Sequence, residues 1–305
     1  MIDVLLATYN GELYVEGQIN SILQQSFSDF KLYIRDDGSS DNTLNIVNSF
    51  SDERIILIED DKLTQSVGDN FKILMQHSES DYILFSDQDD IWLPDKIEEL
   101  YKYASENFDA DIPSLVYSSG YVVDQNLNHK RGLTSSSSIV DFKDILCLNG
   151  GVQGCACLIN RKALSSLLSL DFEWFMHDQA VSLFISFFGE IHQLNKPLFL
   201  YRQHSNNVLG YSDTTLYSKF IRILLRSDTF VIDRRVYESI LSFKKTLSGL
   251  KLSKEKNIFL ESFVDSLSSK STFVFFTMTR GLRLKGSIFK LVLKAIVSNK
   301  ILSRK

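Results

Sequence analysis

A chain of 305 residues with 44% apolar and 23% charged side chains is long enough for one large globular domain, or a domain of about 200 residues with an appendage, and is too apolar to be disordered throughout. Its net charge of −5 hides an asymmetry: from Lys270 onward there are nine Lys/Arg and no Asp/Glu, which leaves 24 basic against 38 acidic side chains in residues 1–269. An acidic body of that kind excludes non-specific nucleic-acid binding, which draws on phosphate-neutralising charge.

In chain order, residues 3–7 form a short apolar run that ends at Thr8-Tyr9-Asn10 and predict the first strand. Tyr14, Val15, Ile19, Ile22 and Leu23 then recur at the three- and four-residue steps of an amphipathic helix. Residues 30–35 read as a second strand that stops at Asp36-Asp37-Gly38-Ser39-Ser40, after which Ser40 or Asp41 can cap a helix with Leu44, Val47 and Phe50 on its apolar face. Residues 54–59 predict a third strand, residues 71–76 belong to a helix that follows Gly68, and residues 81–86 predict a fourth strand running into Asp87-Gln88-Asp89-Asp90. Strands separated by helices imply right-handed crossovers and a parallel sheet, whose ligands sit beyond the carboxyl ends of the strands. Those ends carry Thr8–Asn10, Asp36-Asp37 and Asp87–Asp90, so three polar clusters are expected to converge on one edge.

Farther on, residues 95–103 predict a helix and residues 114–124 a strand, while residues 135–138 form a polar loop. A loop from Gly150-Gly151 leads through Cys155 and Cys157 into a strand, residues 180–188 are apolar and helical, and residues 190–194 and 197–201 suggest two short strands. Beyond Gly210 only helical signals remain. The three cysteines, Cys147, Cys155 and Cys157, give neither a disulfide framework nor a second close pair for zinc, so buried free thiols in a reducing compartment are expected. A first strand beginning at Met1 leaves no room for a signal peptide, and no uncharged run reaches the ~18 residues of a membrane span; a cytoplasmic location is expected.

The acidic run at 87–90 is the sharpest chemical feature. Three carboxylates in four positions repel one another, and a hard divalent cation such as Mn²⁺ or Mg²⁺, which takes oxygen ligands and shares its shell with phosphates, would offset that repulsion. On extended backbone Asp87 and Asp89 would point to the same side, one toward a ribose and one toward the metal. At Asp36-Asp37-Gly38-Ser39 a carboxylate can accept from the imide N–H of a base, although a capped helix start explains the same residues. His177-Asp178 opens an apolar helix, where the carboxylate can serve as general base and the imidazole can tune it or touch substrate. The group Tyr201-Arg202-Gln203-His204 joins an Arg and a His, which together suit diphosphate, although ordinary surface polar residues explain them equally.

Taken together, Val4-Leu5-Leu6-Ala7-Thr8-Tyr9-Asn10-Gly11, Ile34-Arg35-Asp36-Asp37-Gly38-Ser39-Ser40-Asp41 and Ser86-Asp87-Gln88-Asp89-Asp90-Ile91-Trp92-Leu93-Pro94-Asp95-Lys96 resemble the glycosyltransferase family 2 enzymes, and the last of these with Tyr201–His204 resembles the rhamnosyltransferase-like branch. The resemblance covers roughly residues 1–210. It implies a GT-A fold, an α/β architecture with a mixed, mainly parallel sheet flanked by helices. The nucleotide-binding half would be residues 1–100 and the acceptor-binding half residues 101–210, with residues 211–305 as a helical extension. It further implies a nucleotide-sugar pocket of Thr8, Tyr9, Asn10, Asp36, Asp37, Gly68, Asn70, Asp87, Arg202 and His204, with metal on Asp89 and Asp87. Asp178 matches the catalytic base, and Asp90, Trp92, Gly154 and His177 fall at acceptor or supporting positions. The expected reaction is an inverting, metal-dependent transfer of a sugar, first rhamnose from dTDP-rhamnose and next a UDP-hexose, to a surface polysaccharide or lipid-linked glycan such as O-antigen or capsule.

In the tail, Arg280, Arg283, Lys285, Lys290 and Lys294 interleave with apolar residues from Leu282 to Val297. A basic amphipathic helix suits the surface of an anionic membrane, and equally a helix packed on the body with its lysines in water. Homo-oligomerisation is left open. A sugar nucleotidyltransferase is disfavoured because Thr8–Glu12 is no Gly-rich phosphate loop, and an Asp-x-Asp-x-Thr phosphatase because Ile91 follows the acidic run. A lectin-like module would not require metal and base carboxylates to converge.

Overall fold

The first four strands of the computed structural model are β1 (Ile2–Thr8), β2 (Phe30–Asp36), β3 (Ile55–Leu57) and β4 (Tyr82–Ser86), separated by α1 (Val15–Leu23), α2 (Thr43–Asn48) and α3 (Val67–His77). The structure describes residues 1–135, 139, 141–148, 152–204, 229–247 and 249–303. β1 pairs in parallel with both β2 and β4, and β2 with β3. Strands covered by helices on both faces are apolar on both, which is why residues 2–6 are buried throughout; the one polar exception, Asp3, accepts from Ser78, Glu79 and Ser80. The helix expected from residue 71 begins at Val67, where the Ser66 side chain accepts from Asp69 N; Gly68 and Asn70 therefore lie within its first turns rather than in a loop.

The sheet continues through β5 (Ile91–Trp92), β6 (Ser114–Val123), β7 (His129–Leu133), β8 (Cys157–Asn160) and β9 (Glu190–Arg202), in the order β3-β2-β1-β4-β8-β6-β9-β5 with β7 beside β6. β8 runs antiparallel between β4 and β6, β9 runs parallel to β6, and β5 runs antiparallel to β9. Six of the nine strands thus share one direction, as expected of a mainly parallel sheet. The helices here are α4 (Lys96–Asn107), α5 (Phe142–Ile145), α6 (Arg161–Leu168) and α7 (His177–Phe188).

Two expectations need correction. The stretch 190–201 forms one strand instead of two, because Gln193 pairs with Tyr117 and Pro197 with Ser119, and the surplus residues between them bulge. A proline reads as a break in sequence, yet a bulge accommodates its missing donor. The C-terminal region is also not wholly helical. Besides α8 (Arg234–Thr246), α9 (Lys254–Ser266), α10 (Lys270–Arg280) and α11 (Ile288–Val297), it holds a parallel pair of strands, β10 (Phe230–Ile232) and β11 (Lys300–Leu302). Three-residue strands are too short to carry a period-two pattern. The C-terminal helices and β11 join the main core: Phe243, Phe263, Leu291 and Ile301 belong to the same buried cluster as Ile2 and Leu84. Arg283 binds Asp141 and Asp144, and Lys256 donates to the carbonyls of Ser186 and Phe187. Residues 136–138, Gly150-Gly151 and the expected boundary at 210 lie outside the described residues.

Candidate active site

The ends of β1, β2 and β4 meet at one edge of the sheet, and hydrogen bonds between them fix the crevice. Thr8 Oγ1 donates to Asp36 Oδ1 at 2.8 Å, and Asp36 Oδ2 accepts from Gly38 N and Ser39 N at 3.0 and 2.6 Å. Gly38, at φ 85°, makes that turn possible. Asn10, itself at φ 47°, donates from its backbone to Ser39 Oγ and accepts at Oδ1 from Ser40 N, each at 2.8 Å. The Tyr9 peptide exchanges two 2.9 Å hydrogen bonds with the Gln88 amide, tying β1 to the acidic run. A Cβ on Gly11 would lie 2.3 Å from Gln88 Oε1, so glycine admits this approach.

Asp37 is buried, with Arg35 Nη1 at 3.2 Å, Thr64 N at 2.7 Å and Thr64 Oγ1 at 2.8 Å. Burial pushes its carboxyl up, but the Thr64 and Arg35 hydrogen bonds outweigh that and hold it below the usual carboxylate range. The Arg35 guanidinium also holds Asp60 and Asn70 Oδ1. Asn70 therefore supports the crevice from beneath by fixing Arg35. Arg35, Thr64 and the Gln65 backbone together fix the Asp37 carboxylate at the carboxyl end of β2.

The acidic run departs from expectation in geometry. β4 ends at Ser86 and residues 87–90 turn, so Asp87 and Asp89 do not share one face of an extended strand. Instead Asp87, Asp90 and the Cys155 thiol bring one ligand atom each within 4.8 Å of one another. Asp89 Oδ2 sits 2.8 Å from His204 Nε2, and the His204 ring stacks on Tyr14 with centroids 4.6 Å apart. The β5–β9 pairing (Ile91 with Leu200, Trp92 with Phe199) delivers the end of β9 to this spot. Arg202 donates from its backbone to Asp90 Oδ1, from Nε to Asp89 O and from Nη1 to Gln125 O. Its guanidinium thus braces the acidic turn.

Burial, then the Asp89 charge, pushes the Asp87 carboxyl up to about 7; the same two causes raise Asp90 well above its ordinary value. Asp90 Oδ2 is buried without a hydrogen-bond partner among the described residues. An uncompensated buried oxygen among three carboxylates fits a hard divalent cation, and Asp87, Asp89 and Asp90 supply the oxygen donors it prefers. Sequence reasoning missed an internal counter-charge. The buried Lys96 ammonium donates to Cys155 O, lies 3.8 Å from the Trp92 ring centroid and faces Asp90 and Asp87 electrostatically. Trp92 is buried under Lys96 and lines no acceptor surface.

Asp178 occupies the first turn of α7, where Gln179 N donates to its Oδ1 at 2.7 Å. Burial, followed by the charge of Asp87, raises its carboxyl well above the ordinary range, while hydrogen bonds from Gln179 N and Gly154 N oppose the shift. His177 is packed away from the crevice: its ring centroid is 3.6 Å from Phe71 and 5.3 Å from Phe85, and neither ring nitrogen has a partner among the described residues. Burial drops its pKa to about 3, so it is a neutral wedge. Gly154 exists for that wedge, since a Cβ there would lie 1.8 Å from His177 Nε2. Gly68 similarly admits Trp174, whose Cβ and carbonyl oxygen would be 3.0 Å from an added Cβ. A cleft of about 380 Å³ opens just before α7, lined by Gln65, Trp174, Phe175, Met176, Arg235 and Glu238 among others. The three cysteines are buried free thiols, as expected.

A parallel sheet of covered strands, a carboxylate turn at its carboxyl edge and a buried acid at a helix start describe a nucleotide-sugar transferase. Residues 3–168 match the family Glycosyl transferase family 2, and the chain belongs to that family. It is 30% identical over 223 residues to the dTDP-rhamnosyl transferase RfbG of Shigella flexneri, covering 67% of this chain and 73% of that one. It is 33% identical over 98 residues to the Escherichia coli UDP-Glc:alpha-D-GlcNAc-diphosphoundecaprenol beta-1,3-glucosyltransferase WfgD, covering 32% and 38%. Its fold matches that of S. aureus TarS 1–349 in complex with UDP-GlcNAc (TM-score 0.59, 15% identity, 96% of this chain and 79% of that one). It also matches the Pyrobaculum calidifontis mannosyltransferase PcManGT in complex with GDP-Man and Mn²⁺ (TM-score 0.54, 13% identity, 97% and 86%). The chain is a glycosyltransferase of GT-A fold.

Proposed function

We propose that the protein transfers rhamnose from dTDP-rhamnose, with inversion, to a hydroxyl of a growing surface polysaccharide or lipid-linked glycan. The observation that carries this reading is that Gly154 N donates to Asp178 while the next residue, Cys155, brings its Sγ within 4.8 Å of the Asp87 and Asp90 carboxylates, which sets a general-base candidate beside the acidic turn. Rhamnose is favoured by similarity to the Shigella enzyme over two thirds of the chain. A UDP-hexose donor is the second reading, favoured by the shorter similarity to the glucosyltransferase.

In this reading residues 1–210 are the catalytic part and 211–305 the extension. Tyr9, Asn10 and Asp37 receive the nucleoside, and Asp87 approaches the ribose. Asp87 and Asp89 would hold Mn²⁺ or Mg²⁺, with His204 beside Asp89, and the cation would supply positive charge for the departing diphosphate. Asp178 takes the proton of the acceptor hydroxyl, whose oxygen attacks C1 from the face opposite the leaving group. One displacement inverts the anomeric centre without a covalent sugar-enzyme intermediate. The acceptor enters through the cleft before α7, where Gln65, Ser66, Glu173 and Glu238 offer hydrogen-bonding groups to a glycan. A lipid-borne acceptor would bring the enzyme to a membrane surface, for which the basic C-terminal segment is suited.

The test is incubation with Mn²⁺ and a panel of UDP-, dTDP- and GDP-sugars, with release of nucleoside diphosphate as the readout. Release from dTDP-rhamnose above the others supports the first reading. Pyrophosphate release from a nucleoside triphosphate and a sugar phosphate would instead make it a nucleotidyltransferase.

A further inference from the structure

The last two helices expose large apolar side chains that the core does not use. On α11, Leu291 and Ala295 are buried against the body, whereas Phe289, Leu293 and Ile296 are 74%, 48% and 61% exposed. At 100° per residue, Phe289, Leu293 and Ile296 fall within one narrow stripe, opposite the buried pair. α10 repeats the pattern: Phe273, Phe276 and Thr277 are buried, and Phe275 and Met278 on the other face are 69% and 65% exposed. The two helices pack on each other.

Charge selects the occupant. Beyond Asp265 the sequence has no acidic residue, while Arg280 and Lys290 are exposed on these helices. Lys294 is different, since its buried ammonium donates to Val231 O at 2.6 Å and fastens α11 to the body. The remainder of the chain is strongly acidic, so an anionic surface repels it and attracts only this end. An anionic bilayer interface takes both the cations and the apolar stripe, Phe275, Phe289 and Ile296 included.

We propose that α10 and α11 form a docking face for an anionic lipid bilayer, with Phe289, Leu293 and Ile296 entering the acyl boundary, joined by Phe275 and Met278, and Arg280 and Lys290 at the headgroups. This rests on the lipid-linked reading of the acceptor only for its biological purpose. Its physical content is independent of donor or acceptor.

The full chain is sedimented with vesicles of phosphatidylcholine containing phosphatidylglycerol and with vesicles of phosphatidylcholine alone, in the absence of donor. Binding to the anionic vesicles, weaker by about tenfold on the neutral ones or at high salt, is expected. The double variant Phe289→Ser with Ile296→Ser, both exposed and so harmless to folding, should lose most of that binding; Arg280→Gln with Lys290→Gln should lose the preference for anionic lipid. A wild-type chain that stays in solution, or a Phe289→Ser/Ile296→Ser chain that sediments like wild type, overturns the proposal. So does a wild-type dimer that this double variant dissolves, which would make the stripe a contact between copies. Nucleoside diphosphate release is measured separately, so a failed vesicle assay leaves the transferase reading standing.

Discussion

The Lys96 ammonium lies 3.8 Å from the centroid of the Trp92 ring while donating to Cys155 O, and so holds a buried positive charge beneath Asp87 and Asp90. Burial pulls it down to about 8 and pushes Asp87 up to about 7. The acidic corner is therefore offset in part by the protein itself, while Asp90 Oδ2 has no hydrogen-bond partner among the described residues.

Replacing Lys96 by Met should destabilise the fold by about 1–3 kcal/mol, because the buried Cys155 carbonyl loses its donor and Asp87 and Asp90 lose a favourable charge. Divalent cation should return part of that loss, because the ion takes over the neutralisation. Thermal melts of Lys96→Met and wild type with and without Mn²⁺ check this. A variant that melts like wild type, or one whose deficit ignores Mn²⁺, removes the role assigned to Lys96.

The contrast between Lys96 and Asp87 shows what a sequence reader can see. The four βαβ strands were legible because strands covered on both faces are predominantly apolar, and their ends were legible because Asp36-Asp37 and Asp87–Asp90 break those runs abruptly. Lys96 lies within the quoted motif but looks like any helix-start lysine; only the tertiary path of β8 and the Gly154–Ala156 turn beside it reveals its burial. His177 was misread for the same reason. A polar residue beside a candidate base suggests chemistry, whereas Phe71 and Phe85, far away in sequence, make it a core residue. The end of β9 was legible from Arg202 and His204, but that Arg202 would brace carbonyls follows only from the β5–β9 pairing.

Asp178→Asn should lower kcat by about 10²–10⁴, the usual contribution of a general base, with little change in the dissociation constant for nucleoside diphosphate. Calorimetry with dTDP alongside steady-state rates separates the two quantities. A variant retaining more than a tenth of the rate would place the base elsewhere.

Asp89→Asn and Asp87→Asn should each weaken cation-dependent binding of nucleoside diphosphate by at least about tenfold, or ~1.4 kcal/mol. Chelation of divalent ions should abolish turnover by wild type, and Mn²⁺ should restore it. Full activity in excess chelator would mean that the carboxylates work without a cation and that Lys96 alone offsets them.

The His177 wedge predicts an acid sensitivity of known sign. Its pKa falls from 6.5 to about 3 in the folded protein, and burial is the sole cause; Phe71, Phe85 and Gly154 face the ring, with Asp178 next to it on α7. As pH drops below 6.5 the unfolded chain gains a proton that the folded chain refuses. Stability attributable to this group is thus complete above 6.5 and is lost on the way down toward 3. Between pH 6.5 and 5 the loss from this group comes to about 1.5 kcal/mol, at roughly 1.4 kcal/mol per unit once the unfolded imidazole is fully charged. His177→Leu removes the titration while keeping an apolar filler between Phe71 and Gly154, so its stability at pH 7.5 should stay within about 1 kcal/mol of wild type. Denaturant melts at pH 7.5, 6.5 and 5 for both chains give the difference directly, and the contribution of Asp178, common to both, cancels in it. Equal acid slopes for His177→Leu and wild type would mean that the imidazole reaches water or a partner, and the wedge assignment would fall.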